Sequence, residues 1–270
     1  MKDNRLTILV SSFDGFADCW IPFIHGFKTY WPDCEYDIFI IANYLDSPDE
    51  TILPSLKIGE DLGWASNIKK ALEKINSDYV LYLQEDFWLN TKVNQQNMKH
   101  YLNEIIANSW HYFRISPITV PKEFTDKSFF ETSGKYRVTL QSVIWDKKFF
   151  QSLLYEGESG WDFENKSTKR LEGRMAHTYS INTELGDNFI MSYCWGTAVR
   201  KGKWTEGALN FIRDEKLDFD LSQRKRETKI ETALLKLSGG PFVLKIGAFF
   251  IIRSIQFIKG ERSFASTFTR

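Results

Sequence analysis

Apolar residues in the first 90 positions fall into two patterns. Mostly apolar runs predict strands at Leu6 to Val10, Tyr36 to Ala42 and Tyr79 to Leu83, and the last of these is suited to burial on both faces. A shorter strand is predicted at Ser55 to Ile58, and a helix runs from Trp20 to Tyr30, where a Trp-Pro pair ends it. Strands therefore alternate with helices from the start of the chain.

The stretch that leads into the third of these runs has the clearest helical spacing. Apolar residues recur at intervals of three, four and seven positions, which predicts an amphipathic helix: Ile68, Ala71, Leu72 and Ile75. Asn76-Ser77-Asp78 breaks that helix before the buried strand. Gln84-Glu85-Asp86 follows the strand directly, and open α/β sheets bind their ligands at this end of a strand.

Further helices and strands are predicted beyond Asn90. The spacing predicts three helices and two strands, namely helices at Gln95 to Ala107, at Lys147 to Leu154 and from about Gly157 to about Arg174, and strands at Trp110 to Ile115 and Tyr136 to Trp145. Together these elements predict an α/β domain, with a mostly parallel sheet and helices on both faces.

Charge divides the chain more clearly than hydropathy does. Net charge over all 270 residues is zero, but residues 221–270 contain ten Lys or Arg against three Glu, so this tail carries +7 and residues 1–220 carry −7. We therefore expect one domain over residues 1–220 and a separate C-terminal segment over residues 221–270.

Within that segment, Pro241 to Lys259 combines many apolar and aromatic residues with Lys245, Arg253 and Lys259. A helix of this composition is typical of one that lies in the plane of a membrane and is attracted to anionic lipids. A core or dimer helix is the alternative. Nucleic acid is not an expected partner, because no recognised binding motif accompanies the basic residues.

Cysteine usage and the N-terminus indicate a cytoplasmic protein. Cys19, Cys34 and Cys194 are few, far apart and without the spacing of a metal site, which favours a reducing compartment. The first residues form a strand pattern rather than a signal peptide, and no apolar run of about 18 residues is present to span a membrane.

Three predicted strands end in polar residues, at Ser11 to Asp14, at Asn43 and at Gln84 to Asp86. Carboxylates at such an edge can hold a divalent cation that bridges a diphosphate. A helix cap or a loop ion pair is the structural alternative for these acids. The chain contains no GxGxxG motif after its first strand and no P-loop lysine motif, which weighs against a dinucleotide oxidoreductase or an NTPase.

The ordering of these features resembles the GT-A-type glycosyltransferases, and in particular the family 2-like nucleotide-sugar transferases. The resemblance covers roughly residues 5–165, and Gln84-Glu85-Asp86 stands where that family has its DxD motif. It implies that Asp86 binds Mg²⁺ or Mn²⁺ and that Gln84, which replaces an acid, contacts the sugar nucleotide together with Glu85. The remaining residues that it implies for the nucleotide pocket are Ser11, Asp14, Asn43 and Asn67.

A second acidic motif, Trp161-Asp162-Phe163-Glu164, opens a predicted helix. The helix dipole alone favours acids there, but the resemblance implies a carboxylate that removes the proton from the acceptor hydroxyl. Asp162 and Glu164 are both candidates, and Trp161, which could stack on a sugar ring, favours Asp162.

A basic cluster follows much later in the chain. Lys201 and Lys203 could neutralise the leaving diphosphate, although a solvated turn would explain them equally well. Trp204 at the end of this cluster is a further candidate for sugar contact.

The resemblance implies an enzyme that moves a sugar from a nucleotide donor to a saccharide or lipid-linked saccharide acceptor, with inversion. The expected setting is the synthesis of capsule, O-antigen or lipooligosaccharide at the inner face of a bacterial cytoplasmic membrane. A non-catalytic scaffold of the same fold is one alternative, since the acidic triplet is altered. A different α/β transferase, such as a methyltransferase, is the other.

Overall fold

The computed structural model describes residues 2–116, 121–134, 136–194, 197–228 and 231. The chain divides into two compact units, Met1–Thr197 and Ala198–Arg270. The boundary expected at residue 220 stays a prediction, because most of the segment that follows it, including Pro241 to Lys259, lies outside the described residues.

The first unit is built on one sheet of eight strands. In chain order these are β1 Leu6–Ser11, β2 Asp37–Ala42, β3 Ser55–Lys57, β4 Tyr79–Gln84, β5 Tyr112–Arg114, β6 Phe129–Glu131, β7 Val143–Asp146 and β8 Thr178–Ile181. They lie side by side in the order β3-β2-β1-β4-β7-β5-β8-β6. Four of the seven pairings are parallel, and β7 runs antiparallel to both of its neighbours, β4 and β5.

Helices cover both faces of this sheet. They are α1 Trp20–Tyr30, α2 Trp64–Glu73, α3 Gln95–Ala107, α4 Lys147–Leu153 and α5 Gly160–Arg170. On one face, α2, α4 and α5 contact one another and share a buried cluster with Tyr82 and Trp145. On the other face, Tyr101 of α3 stacks on Phe113 of β5, with ring centroids 5.1 Å apart.

Strand register brings the polar strand ends together. β1 and β4 are parallel neighbours with Ser11 opposite Gln84, so the ends of two buried strands meet at one edge of the sheet. β5 points the same way as β4, because β7 is antiparallel to both. The carboxyl ends of β1, β4 and β5 therefore share this edge, as expected for a ligand site in an α/β sheet.

The second unit begins with a small hairpin. Strands β9 Val199–Arg200 and β10 Lys203–Trp204 pair antiparallel, and α6 Glu206–Asp214 follows. Trp204 is completely buried, packs edge-on against Phe219 and donates its indole N–H to the Leu221 carbonyl. The expectation that Trp204 contacts a sugar is therefore wrong, because its ring belongs to the core of this unit.

The predicted α/β class, with a mostly parallel sheet and flanking helices, is confirmed by this topology. The amphipathic C-terminal helix predicted with it falls outside the described residues. Across the part of the chain that the structure describes, no helix has both the length and the apolar character needed to cross a bilayer.

Candidate functional site

A cleft of about 280 Å³ opens at the carboxyl edge of β1 and β4 in the first unit. Its walls come from the ends of these strands, from the loop and first turns of α2, and from single residues of β2 and α5. The lining residues are Ser11, Ser12, Phe13, Ile41, Asp61, Gly63, Trp64, Asn67, Ile68, Tyr82, Gln84, Glu85 and Gly160. Four residues predicted for the nucleotide pocket are among them: Ser11, Asn67, Gln84 and Glu85.

The Tyr82 hydroxyl organises the inner part of the cleft. It accepts hydrogen bonds from the Trp64 indole Nε1 at 3.1 Å and from the Gln84 amide Nε2 at 3.4 Å. Complete burial raises the pKa of Tyr82. Hydrogen bonds, including one with Ser11, lower the pKa by less, so the phenol stays neutral. Because Tyr82 engages the amide nitrogen of Gln84, the Gln84 carbonyl oxygen is left to accept hydrogen bonds from a ligand.

The loop before α2 forms the opposite wall of the cleft. Asp61 Oδ1 accepts hydrogen bonds from the Gly63 backbone N–H at 2.9 Å and from Asn67 Nδ2 at 2.7 Å, while Asn67 Oδ1 accepts from the Leu62 N–H. Asn67 thus fixes the loop and is itself 95% buried. Sequence reasoning missed Asp61, although the spacing Asp-x-Gly-x-x-x-Asn is a signal for a loop held by its own side chains.

Asp14 and Asn43 lie outside the lining of the cleft and join the ends of β1 and β2. The Asp14 carboxylate accepts the backbone N–H groups of Asn43, Tyr44 and Leu45, at 2.8, 3.0 and 3.2 Å. In return, Asn43 Oδ1 accepts the Asp14 N–H, and Asn43 Nδ2 donates to the Gly59 carbonyl. These bonds give both side chains a structural role, and their predicted contact with a nucleotide stays a prediction.

The acidic triplet places its two carboxylates differently. Glu85 is half-buried and lines the cleft beside Gln84, whereas Asp86 is 93% buried and is not part of the lining. Asp86 lies close to Tyr193 and Cys194: burial raises the pKa of the Cys194 thiol to about 12, and the charge of Asp86 adds to this effect. The predicted metal role of Asp86 therefore stays a prediction, and Glu85 is the carboxylate that a ligand in the cleft would meet.

Mg²⁺ in nucleotide sites commonly takes one or two carboxylates from the protein and the rest of its oxygen ligands from phosphates and water. Glu85 supplies such a carboxylate at the cleft. No set of three or more His, Cys, Asp or Glu residues within the described ranges is arranged as a metal site by itself. The donor set thus fits an ion that is shared with a phosphorylated ligand.

The two candidate bases on α5 have opposite electrostatic environments. Asp162 belongs to the capping box of α5, where its Oδ2 accepts from the Ser159 backbone N–H and hydroxyl, and these bonds lower its pKa. Burial raises the pKa of Glu164, with smaller opposing effects from the Leu140 N–H and the Arg114 charge. Glu164 Oε1 accepts that Leu140 N–H at 2.7 Å.

Lys201 and Lys203 lie in the hairpin of the second unit. Lys201 occupies the exposed turn with a φ of +48°, and Lys203 Nζ forms an ion pair with Glu231 Oε1 at 2.6 Å. Arg200 of the same hairpin pairs with Glu227. Lys203 is thus already partnered within its own unit, and the predicted contact of Lys201 and Lys203 with a diphosphate stays a prediction.

No protein-family model and no curated protein matches the sequence. Among solved structures, the chain is similar to Staphylococcus aureus TarS residues 1–349, with a TM-score of 0.47, 13% identity, and coverage of 83% of this chain and 67% of that one. It is also similar to a mycobacterial protein (TM-score 0.43, 10% identity, 70% and 67% coverage). A third similar structure is a cytidylyltransferase from Leptospira borgpetersenii serovar Hardjo-bovis (TM-score 0.43, 8% identity, 96% and 98% coverage). Likeness at this level assigns no activity, which has to be argued from the cleft itself.

Proposed function

We propose that this chain is a glycosyltransferase that uses a nucleotide-sugar donor. The observation that carries the proposal is the cleft at the carboxyl edge of β1 and β4, where aromatic rings, hydroxyls and two carboxylates converge. Phe13 and Trp64 offer apolar surface for a base, and Asp61 offers a carboxylate to its N–H groups. Gln84 and Glu85 lie at the deeper strand end, where the phosphates and the sugar would follow.

The acceptor that we propose is a saccharide or a lipid-linked saccharide of a bacterial surface polysaccharide. The reaction would invert the anomeric carbon and would take place at the inner face of the cytoplasmic membrane, with the C-terminal segment as a peripheral contact. The basic, apolar tail of the sequence supports this setting.

An inverting transfer needs one base and charge stabilisation at the leaving group. We assign the base to Glu164, because it lies one helical turn after the cleft residue Gly160 and its carboxylate is not part of a helix cap. Burial raises its pKa, which is the direction a general base needs. Glu85 would hold Mg²⁺ or Mn²⁺ against the diphosphate, and the ion would supply positive charge as the nucleotide leaves. Trp161, which is 49% exposed one residue after the cleft residue Gly160, is available to stack on a sugar.

Replacing Glu85 with Gln should lower kcat/KM for nucleotide-sugar turnover by about 100-fold, since one charge-stabilising group is lost. Turnover is measured as nucleotide release from UDP-, GDP- and CMP-sugars. Glu60→Gln is the matched control, because Glu60 is an exposed acid of the neighbouring loop that does not line the cleft. Asp86→Asn tests the remaining acid of the triplet.

The pattern of results separates the candidate functions. Nucleotide binding without turnover of any donor favours the scaffold, and binding of S-adenosylmethionine in place of nucleotides favours the methyltransferase. Glu85→Gln could turn over the donor at the wild-type rate while Asp86→Asn loses its dependence on metal. That result would show that Asp86, and not Glu85, binds the metal.

Replacing Gly63 with Ala should destabilise the first unit by about 1–3 kcal/mol and weaken nucleotide binding at the cleft. Gly63 has φ +87° and ψ +162°, a conformation that only glycine adopts readily, and no atom lies within 4 Å of an added Cβ. The strain therefore acts through the backbone of the loop that Asp61 holds.

Gly173→Ala is the control for this experiment. Gly173 also has a positive φ, +74°, and open space around it, but it follows α5 and does not line the cleft. Denaturant titration and nucleotide titration are performed on both variants. Equal losses of nucleotide affinity in the two variants would contradict the role of the Gly63 loop in binding.

A further inference from the structure

Arg114, the last residue of β5, is a buried cation with little compensation. Its side chain is 91% buried, yet among the described residues its guanidinium makes one hydrogen bond, from Nε to Ser180 Oγ at 3.3 Å. A guanidinium has five N–H donors. No carboxylate oxygen within the described ranges approaches it to the 4.0 Å of an ion pair.

Arg137, whose side chain contacts β8 of the same sheet, has more hydrogen-bond partners than Arg114. Its Nε donates to Thr178 Oγ1 at 2.9 Å and its NH2 group donates to the Ala176 carbonyl at 2.7 Å. Glu131 completes this arrangement with a carboxylate 3.6 Å from the guanidinium. The sparse set of contacts at Arg114 is therefore not a general property of arginines in this region.

Arg114 does not line the cleft, but strand register places it two strands from the cleft residue Tyr82. Tyr82 lies opposite Val143, and Val143 lies opposite Arg114, so these three residues form one row across β4, β7 and β5. Two strand spacings separate Tyr82 from Arg114, which is about 10 Å between backbones. Arg114 shares a face of β5 with Tyr112, a member of the buried cluster that contains Tyr82, so both side chains project from the same face of the sheet.

Burial raises the pKa of Glu164 and the charge of Arg114 lowers it by less, but no ion pair joins the two side chains. The Glu164 carboxylate instead accepts the Leu140 N–H. Burial of a charge is costly unless it is paired and hydrogen-bonded. A planar guanidinium with open donors binds phosphate and carboxylate groups in a bidentate manner.

We propose that Arg114 forms an oxyanion subsite on the β5 side of the cleft, which binds a phosphate or carboxylate group during the transfer reaction. The inference rests on the proposed function for the identity of the ligand, since either the diphosphate of the donor or an acidic group of the acceptor could fill the subsite. With the acceptor as the source, Arg114 would anchor the acidic group while Glu164 takes the proton from the attacking hydroxyl.

The test is an NMR titration of the arginine Nε–H signals in the full-length protein with inorganic phosphate, at constant ionic strength set with sodium chloride. Constant ionic strength is needed because screening alone moves the signals of exposed arginines. The Arg114 and Arg137 signals are assigned from their absence in Arg114→Lys and Arg137→Lys. We expect a saturable shift of the Arg114 signal with a Kd on the order of 1–10 mM and a much smaller shift for Arg137.

Repeating the titration with UDP, GDP or CMP present identifies the source of the oxyanion. If the nucleotide shifts the Arg114 signal by itself and abolishes its response to phosphate, the phosphate moiety of the donor occupies the subsite. If the phosphate response persists in the nucleotide-saturated protein, the subsite belongs to the acceptor.

A saturable phosphate shift supports the subsite even if no nucleotide sugar is turned over, so this result is independent of the proposed transfer activity. An unchanged Arg114 signal over the whole titration, or equal shifts of the Arg114 and Arg137 signals, would overturn the subsite. The titration itself is made on the wild-type protein, and the two variants serve only to assign the signals.

Discussion

Replacing Glu164 with Gln lowers kcat by about 10²–10⁴-fold, the range in which a general base contributes to a transfer reaction. Glutamine keeps the size of the side chain and a carbonyl oxygen for the Leu140 N–H, so the fold should remain intact. The variant loses only the ability to take a proton. Single-turnover measurements with a saturating donor report the loss directly.

The pH dependence separates Glu164 from Asp162. A base works in its deprotonated form, so the rate is present above its pKa and is lost as the pH falls through that pKa. Burial raises the pKa of Glu164 above 4.5, which places the acidic limb of kcat/KM above that pH. The Ser159 hydrogen bonds lower the pKa of Asp162 below 3.8, so an Asp162 base would leave the rate unchanged down to that point.

Asp162→Asn is the comparison variant. Loss of the carboxylate from the capping box should weaken the first turn of α5 slightly, with little change in kcat. A large fall in kcat in Asp162→Asn, with nearly normal turnover in Glu164→Gln, would assign the base to Asp162. The exposed ring of Trp161 next to Asp162 would then have predicted the base better than the pKa of Glu164 does.

Replacing Asp14 with Ala should destabilise the first unit by about 2–4 kcal/mol. Three backbone N–H groups lose a charged acceptor, and hydrogen bonds to charged groups contribute about 1.5–3 kcal/mol each where water does not replace them. Water can reach Tyr44 and Leu45, which are exposed, but Asn43 is 96% buried. Most of the loss should therefore come from the Asn43 N–H.

Guanidinium titration followed by tryptophan fluorescence measures this loss. Asp49→Ala is the matched control, because Asp49 is an aspartate of an exposed turn whose carboxylate bonds only to its own loop and to Lys28. Asp49→Ala should destabilise the unit much less than Asp14→Ala does. Equal destabilisation by the two substitutions would show that Asp14 does not join the strand ends.

Strong local patterns were enough to predict the elements around the cleft. The predicted bounds of α1 and α3 match the structure at both ends. A Trp-Pro pair follows α1, and the Asn94 side chain caps the first turn of α3, so both boundaries depend on residues next to the helix. β4 was predictable because burial on both faces leaves an almost purely apolar run.

The long strand predicted over Tyr136 to Trp145 is wrong in its first two thirds. Only Val143–Asp146 pairs in the sheet, while Tyr136 and Ser142 have positive φ values that are incompatible with a strand. Val138 and Leu140 gave the apolar alternation, but they are buried by packing in the cluster with Phe163 rather than by strand pairing. Alternating apolar residues indicate that their side chains are buried, but they do not show which element buries them.

The sequence predicted residues of the candidate site where polar side chains stand at the end of a buried strand or directly after it. Ser11 and Gln84 end buried strands and Glu85 follows directly, so the sequence predicted that these three residues, which line the cleft, lie together. Asp61 and Arg114 escaped because their importance depends on distant residues: Asp61 on the Asn67 side chain, and Arg114 on a row of strands that are not consecutive in sequence. Those relations exist only once the sheet has formed.

The position of β7 between β4 and β5 has a consequence during synthesis of the chain. Residues 85–142 separate β4 from the strand that covers its edge, and at ribosomal rates they take roughly 3–12 s to translate. Throughout that interval the nascent chain presents an apolar, unpaired edge, which is a template for aggregation. We therefore expect the edge of β4 to be protected from pairing with other chains only once β7 has been synthesised.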